Sequence, residues 1–150
     1  MKVEVDQSGK IGDTKVPTVL AFSNGKRYAI LIPATVKREC VRILRDGRKL
    51  ETKLYIQLFA VGLFLLLKHD FNKLDRIAID LEYPGHEAKI KEHLINILRR
   101  SGVTVQASKV HFERVGKKSM AHHLALATLN SKVQPNKIIR LDEIMAEFRK

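Results

Sequence analysis

Cysteine is close to absent from this chain: Cys40 stands alone among 150 residues. A lone thiol excludes an intrachain disulfide framework and any multi-cysteine zinc site, and it fits a reducing cytoplasm. An apolar leader is missing as well. The opening stretch, MKVEVDQSGK, interleaves charge with every apolar position, so no signal peptide is expected. The longest apolar run, Leu54 to Leu67, is broken by Gln57 and closed by Lys53 and Lys68. It falls short of the roughly 20 residues that span a bilayer, and it reads as a buried helix with no membrane role. Repeats, low-complexity tracts and any sign of a second domain are also lacking.

Negative charge is scarce relative to its counterpart. There are 16 Asp and Glu against 28 Lys and Arg, for a net charge of +12. Such an excess repels itself in a compact state, and a polyanion such as nucleic acid is its natural partner. A generally Lys- and Arg-rich surface would give the same number. Hydrophobic residues at 45% exclude a disordered chain and supply one domain, 1–150, with a proper core.

What is present falls into a definite order. Lys2 to Asp6 alternates as a half-buried strand, and Val16 to Ser23 forms a second that ends at the hairpin signal Asn24-Gly25. Tyr28 to Ile32 is a third, stopped by Pro33. The basic stretch Thr35 to Lys49, with Asp46-Gly47 as its turn, has room for a short helix on Val36, Cys40, Val41 and Leu44. Leu50 to Lys68 is a central helix, with Ala60 and Gly62 small enough for close approach. A buried strand, Arg76 to Asp80, precedes an amphipathic helix, Glu87 to Arg100, stopped by Gly102. A fifth strand is expected from Val103 towards Phe112. A helix capped by Ser119 then runs to about Asn130, and a short helix from about Leu141 buries Ile144, Met145 and Phe148. The fold expected is α/β: a mixed five-stranded sheet in the order β-β-β-α-β-α-β-α, with helices on both faces. The core spans about 2–130, with a C-terminal helical extension over 138–150.

Three acids fall at telling places. Asp6 ends the first strand, Glu51 opens the central helix and Asp80 ends the buried fourth strand. In a sheet built in this order the first and fourth strands can be neighbours, which brings Asp6 and Asp80 together. Carboxylates gathered there repel one another unless a cation neutralises them. Oxygen-only ligation suits Mg²⁺ or Mn²⁺, and two such ions about 3.5–4 Å apart clamp a phosphodiester. Taken singly, each acid has a plainer explanation. Asp6 with Ser8-Gly9 is good turn chemistry, and a glutamate in a first helical turn suits the helix dipole.

The element order, the Asp-x-Ser-Gly at Asp6-Gln7-Ser8-Gly9, and the positions of Glu51 and Asp80 resemble the ribonuclease H-like superfamily. The resemblance covers roughly residues 2 to 130. It implies metal ligation by Asp6, Glu51 and Asp80, with Glu82 in reserve, and a catalytic histidine on the last core helix. His122 fills that place, with His123 in reserve. The activity implied is metal-dependent hydrolysis of nucleic acid. The chain has no tryptophan, so the Trp-bearing basic protrusion of the hybrid nucleases is not expected. Phosphate contacts are expected from Ser8, Arg42, Arg45, Arg48, Lys49, Lys117 and Lys118. The alternatives are a catalytically silent basic nucleic-acid-binding or assembly module on the same fold, or a basic ribosome-associated or stress protein with an unrelated one.

Overall fold

A computed structural model describes residues 1–45 and 52–148; Glu51, Arg48 and Lys49 lie outside the described residues, as does the expected Asp46-Gly47 turn. Three strands come first: β1 (Lys2–Ser8), β2 (Thr18–Asn24) and β3 (Lys26–Ile32). They pair antiparallel, and Gly25 at φ +89° makes the reversal between β2 and β3. A left-handed backbone is one that glycine adopts without penalty. The helices α1 (Ala34–Arg45) and α2 (Thr52–Leu67) follow, then β4 (Arg76–Asp80) and α3 (Glu87–Arg100). The chain ends with β5 (Val110–Glu113), α4 (Met120–Leu129), β6 (Lys137–Ile138) and α5 (Leu141–Phe148).

The sheet is mixed and six-stranded among the described residues, in the order β5-β4-β1-β2-β3-β6. β4 adds parallel to β1, with Val3 opposite Ile77 and Val5 opposite Ile79, and β5 adds parallel to β4. The first and fourth strands are therefore neighbours, and their carboxyl ends lie at one edge of the fold.

Alternation along the strands decides what each face meets. Leu20, Phe22, Ile30 and Ile32 point to the face covered by α2, in the larger hydrophobic cluster. Val19, Ala21 and Ala29 point to the other face, against Leu124 and Ala125 of α4. α2 is buried along nearly its whole length because apolar residues surround its axis. Gly62 faces β2 so closely that a Cβ there would sit 2.8 Å from Leu20 Cδ1.

Two expectations need correction. The sheet has six strands where five were expected, because Lys137–Ile138 pairs parallel with β3. Two residues preceded by Pro135 and Asn136 give no alternation to read. The fifth strand begins at Val110, seven residues later than Val103. Val103 and Val105 do turn inward onto the core, but without a strand partner, and a 3₁₀ turn at Ala107–Lys109 intervenes. The burial expected of the last helix holds. Ile139, Ile144 and Met145 are buried in the main cluster, with Phe148 packed against it. No helix among the described residues is long and apolar enough to cross a membrane.

Candidate functional site

Asp6 occupies the α4-facing side of β1, since its neighbours Val5 and Val3 belong to the opposite face. It is 4% exposed. A buried carboxylate needs partners, and Asp6 has two. The Gln7 N–H donates to Oδ1 at 2.8 Å, and His122 Nδ1 lies 2.8 Å from Oδ2. Burial raises the Asp6 pKa, the Asp80 charge adds to that, and the bonds from Gln7 and His122 oppose it. The net direction is upward.

Glu4, two residues earlier on the same side of β1, accepts a hydrogen bond from the Ser119 hydroxyl at 3.0 Å. Ser119 is also the N-cap of α4, and its oxygen accepts from Ala121 N at 3.1 Å. Glu4 and Asp6 thus meet residues one helical turn apart, and this pair of contacts fixes where α4 begins and how His122 faces the sheet. With Asp6 ionised, Nδ1–H donates and Nε2 is left as the basic nitrogen. His123 is exposed and stands edge-on to His122 at 5.8 Å between ring centroids.

Asp80 comes from the neighbouring strand. Its Oδ1 accepts from Val115 N at 2.7 Å, which ties the segment between β5 and α4 to the end of β4. Glu82 follows after a tight bend in which its N–H donates to Asp80 O at 2.9 Å. The ligand oxygens of Asp6, Asp80 and Glu82 lie within 4.8 Å of one another. Burial, hydrogen bonding to Asp80 and the charges of Asp80 and Asp6 push the Glu82 pKa up to about 8, while the Lys10 ammonium pulls the other way. The upward shift favours a proton shared into the cluster, which relieves part of its repulsion.

These three acids and His122 line an open cleft of about 370 Å³, whose other walls include Gln7, Arg114, Gly116 and Lys117. The donor set fits a hard divalent cation. A shared Mg²⁺ at about 2.1 Å from each oxygen needs oxygens no more than roughly 4.2 Å apart, so a shift of a few tenths of an ångström closes the set. The proton on Glu82 is what such a cation would displace.

The remaining expected residues distribute as follows. Glu82, foreseen as a reserve ligand, stands beside Asp6 and Asp80 in the cluster. Ser8 is half-buried at the end of β1. Lys117 lines the cleft and Lys118 is exposed beside it. Arg42 and Arg45 lie on the last turns of α1, and neither lines the cleft. The Arg42 guanidinium is held bidentately by Glu39, at 2.7 and 2.9 Å.

Sequence reasoning missed Gln7, which lines the cleft and whose Oε1 accepts from the Tyr83 hydroxyl at 3.4 Å. It also missed Lys37. This lysine is 2% exposed, yet its charge would have placed it on the solvent face of α1. Protein-family models, curated proteins and solved structures yield no match to this chain. Fold and site together define an α/β protein with an acidic, histidine-flanked cleft at the carboxyl ends of two parallel strands.

Proposed function

We propose that the protein is a divalent-metal-dependent nuclease of the ribonuclease H-like kind, acting on phosphodiester bonds of nucleic acid with Mg²⁺ or Mn²⁺. One observation carries the reading: Asp6 and Asp80 meet across adjacent parallel strands, Glu82 completes an oxygen cluster, and His122 sits on Asp6. Carboxyl ends of parallel strands are where α/β sheets place ligands. An antiparallel meander with two parallel strands added beside β1 supports the ribonuclease H-like arrangement, with β6 as an addition. A reducing cytoplasm suits Cys40, whose buried thiol has its pKa pushed up to about 11 and is inert.

In this reading Asp6, Asp80 and Glu82 hold the cation. A bound Mg²⁺ or Mn²⁺ supplies Lewis-acid polarisation of a phosphoryl oxygen and acidification of water. The chain itself supplies the rest. Asp6 fixes the His122 ring through Nδ1, leaving Nε2 to accept or return a proton at the cleft. The Val115 N–H holds Asp80 in place. Lys117 and Lys118, just ahead of α4, offer cationic contacts to phosphate.

The experiment is cleavage of DNA duplex, RNA–DNA hybrid and branched DNA in the presence of Mn²⁺. Wild-type protein cuts at least one substrate, and Asp6→Asn reduces the rate by about 10³-fold or more. Undiminished cleavage by clean Asp6→Asn protein sinks the proposal. If wild type cleaves none but binds in a salt-sensitive way without Mn²⁺, the silent nucleic-acid-binding module replaces it.

A further inference from the structure

The loop between β1 and β2 is built more rigidly than a surface loop needs. Lys37 reaches up from α1, fully buried, and its ammonium donates to Asp13 O at 2.6 Å, Thr18 Oγ1 at 2.9 Å and Lys10 O at 3.2 Å. Arg38 adds a bond to Thr14 O at 2.9 Å, and the Tyr55 ring packs beneath Gly12. Gly9 closes the base of the loop at φ +77°, where a Cβ would strike Pro17 O at 2.1 Å. A lysine loses rotamer freedom and hydration when it is buried. One of the three oxygens it holds, at the longest distance, is the carbonyl of Lys10, whose own ammonium acts on the Glu82 carboxylate.

A second segment is held in a corresponding way on the other side. Val115 N is anchored to Asp80, and the residue before it, Arg114, lines the cleft. In the sheet order β5-β4-β1-β2, the acidic cluster sits on β4 and β1. Arg114 follows β5 on one flank, and Lys10 lies in the loop leading towards β2 on the other. Among the described residues neither side chain is in a salt bridge within 4.0 Å, although Lys10 acts on Glu82 from farther off, whereas Lys26, Arg42, Lys89 and Arg140 each contact a carboxylate. The two flanks are two to three interstrand steps apart, on the order of 10–14 Å at about 4.8 Å per step. That is about three to four nucleotide rises of roughly 3.4 Å along one strand.

We propose that Lys10 and Arg114 bracket the acidic cleft as phosphate contacts for one polynucleotide strand, with Lys37 as the positioning residue that sets Lys10. The proposal rests on the nucleic-acid reading above and adds the two residues that hold the strand on either side of the cluster.

The test is fluorescence anisotropy of labelled single-stranded DNA, DNA duplex and RNA–DNA hybrid in EDTA, titrated with salt. Removing one phosphate-binding cation lowers the slope of log K against log salt by about 0.7–0.9. Lys10→Ala and Arg114→Ala each show that drop, the double variant shows their sum, and Lys10→Arg restores the slope. Lys37→Met lowers the slope by no more than Lys10→Ala does, and adds nothing in a Lys10→Ala background. Wild-type binding with unchanged slopes in both alanine variants overturns the bracket and leaves the nuclease reading standing. Failure of wild type to bind any probe overturns both.

Discussion

At the scale of single residues, Glu82 is the most informative acid. Its pKa of about 8 follows from burial beside Asp80 and Asp6. A carboxyl raised in the folded state contributes stability that is fully present below its unfolded value, near 4.5. That contribution is lost as the pH climbs through about 8. The same proton competes with a cation. Mn²⁺ affinity should therefore rise about tenfold per pH unit up to about pH 8 and then level off, one proton leaving for each ion bound. Glu82→Gln should flatten that rise. Calorimetric titration across pH 6 to 9 checks both, and an equally steep profile in the variant would remove Glu82 from the site. Asp6 and Asp80 were legible in the sequence because their strands fixed their direction. Lys37 was not, because lysine is a surface residue by type, even though its spacing from Cys40, Val41 and Leu44 puts it on the buried face of α1.

Among the elements, α4 decides the geometry of the site. Its N-terminus is docked by two successive same-face residues of β1, Glu4 on Ser119 and Asp6 on His122. Ser119 was readable as a cap from its type and place alone. The Glu4 bond was not, because it joins residues 115 apart in the chain. Ser119→Ala removes both the cap and the bond to Glu4. It should destabilise the protein by about 1–2 kcal/mol, lowering Tm by roughly 2–4 °C per kcal/mol for a chain of this size. A melting temperature equal to wild type would show that the cap does not hold α4. The fifth strand was misjudged for a related reason. Val103 and Val105 alternate and turn inward, but pairing with β4 starts only at Val110, and a pattern of burial does not reveal where backbone pairing begins.

Over the whole molecule, the order of elements was enough to make the first and fourth strands neighbours, and that adjacency is what brings Asp6 to Asp80. The order could not reveal β6, whereas the apolar spacing of the last helix did place Ile144 and Met145 in the core. The net charge of +12 is spread unevenly in its usefulness. Some cations are neutralised within the fold, as Arg42 is by Glu39, while Lys10 and Arg114 flank the convergence of Asp6, Asp80 and Glu82. That convergence in a strongly basic protein is the centre of the account, because a proton or a cation relieves the mutual repulsion of its carboxylates. Calorimetric titration with Mn²⁺ near pH 8, on wild type and on Asp6→Asn verified as folded, tests it most directly. The account predicts saturable binding by wild type, weakened more than about 100-fold in the variant; equal Mn²⁺ binding by the two proteins would contradict it.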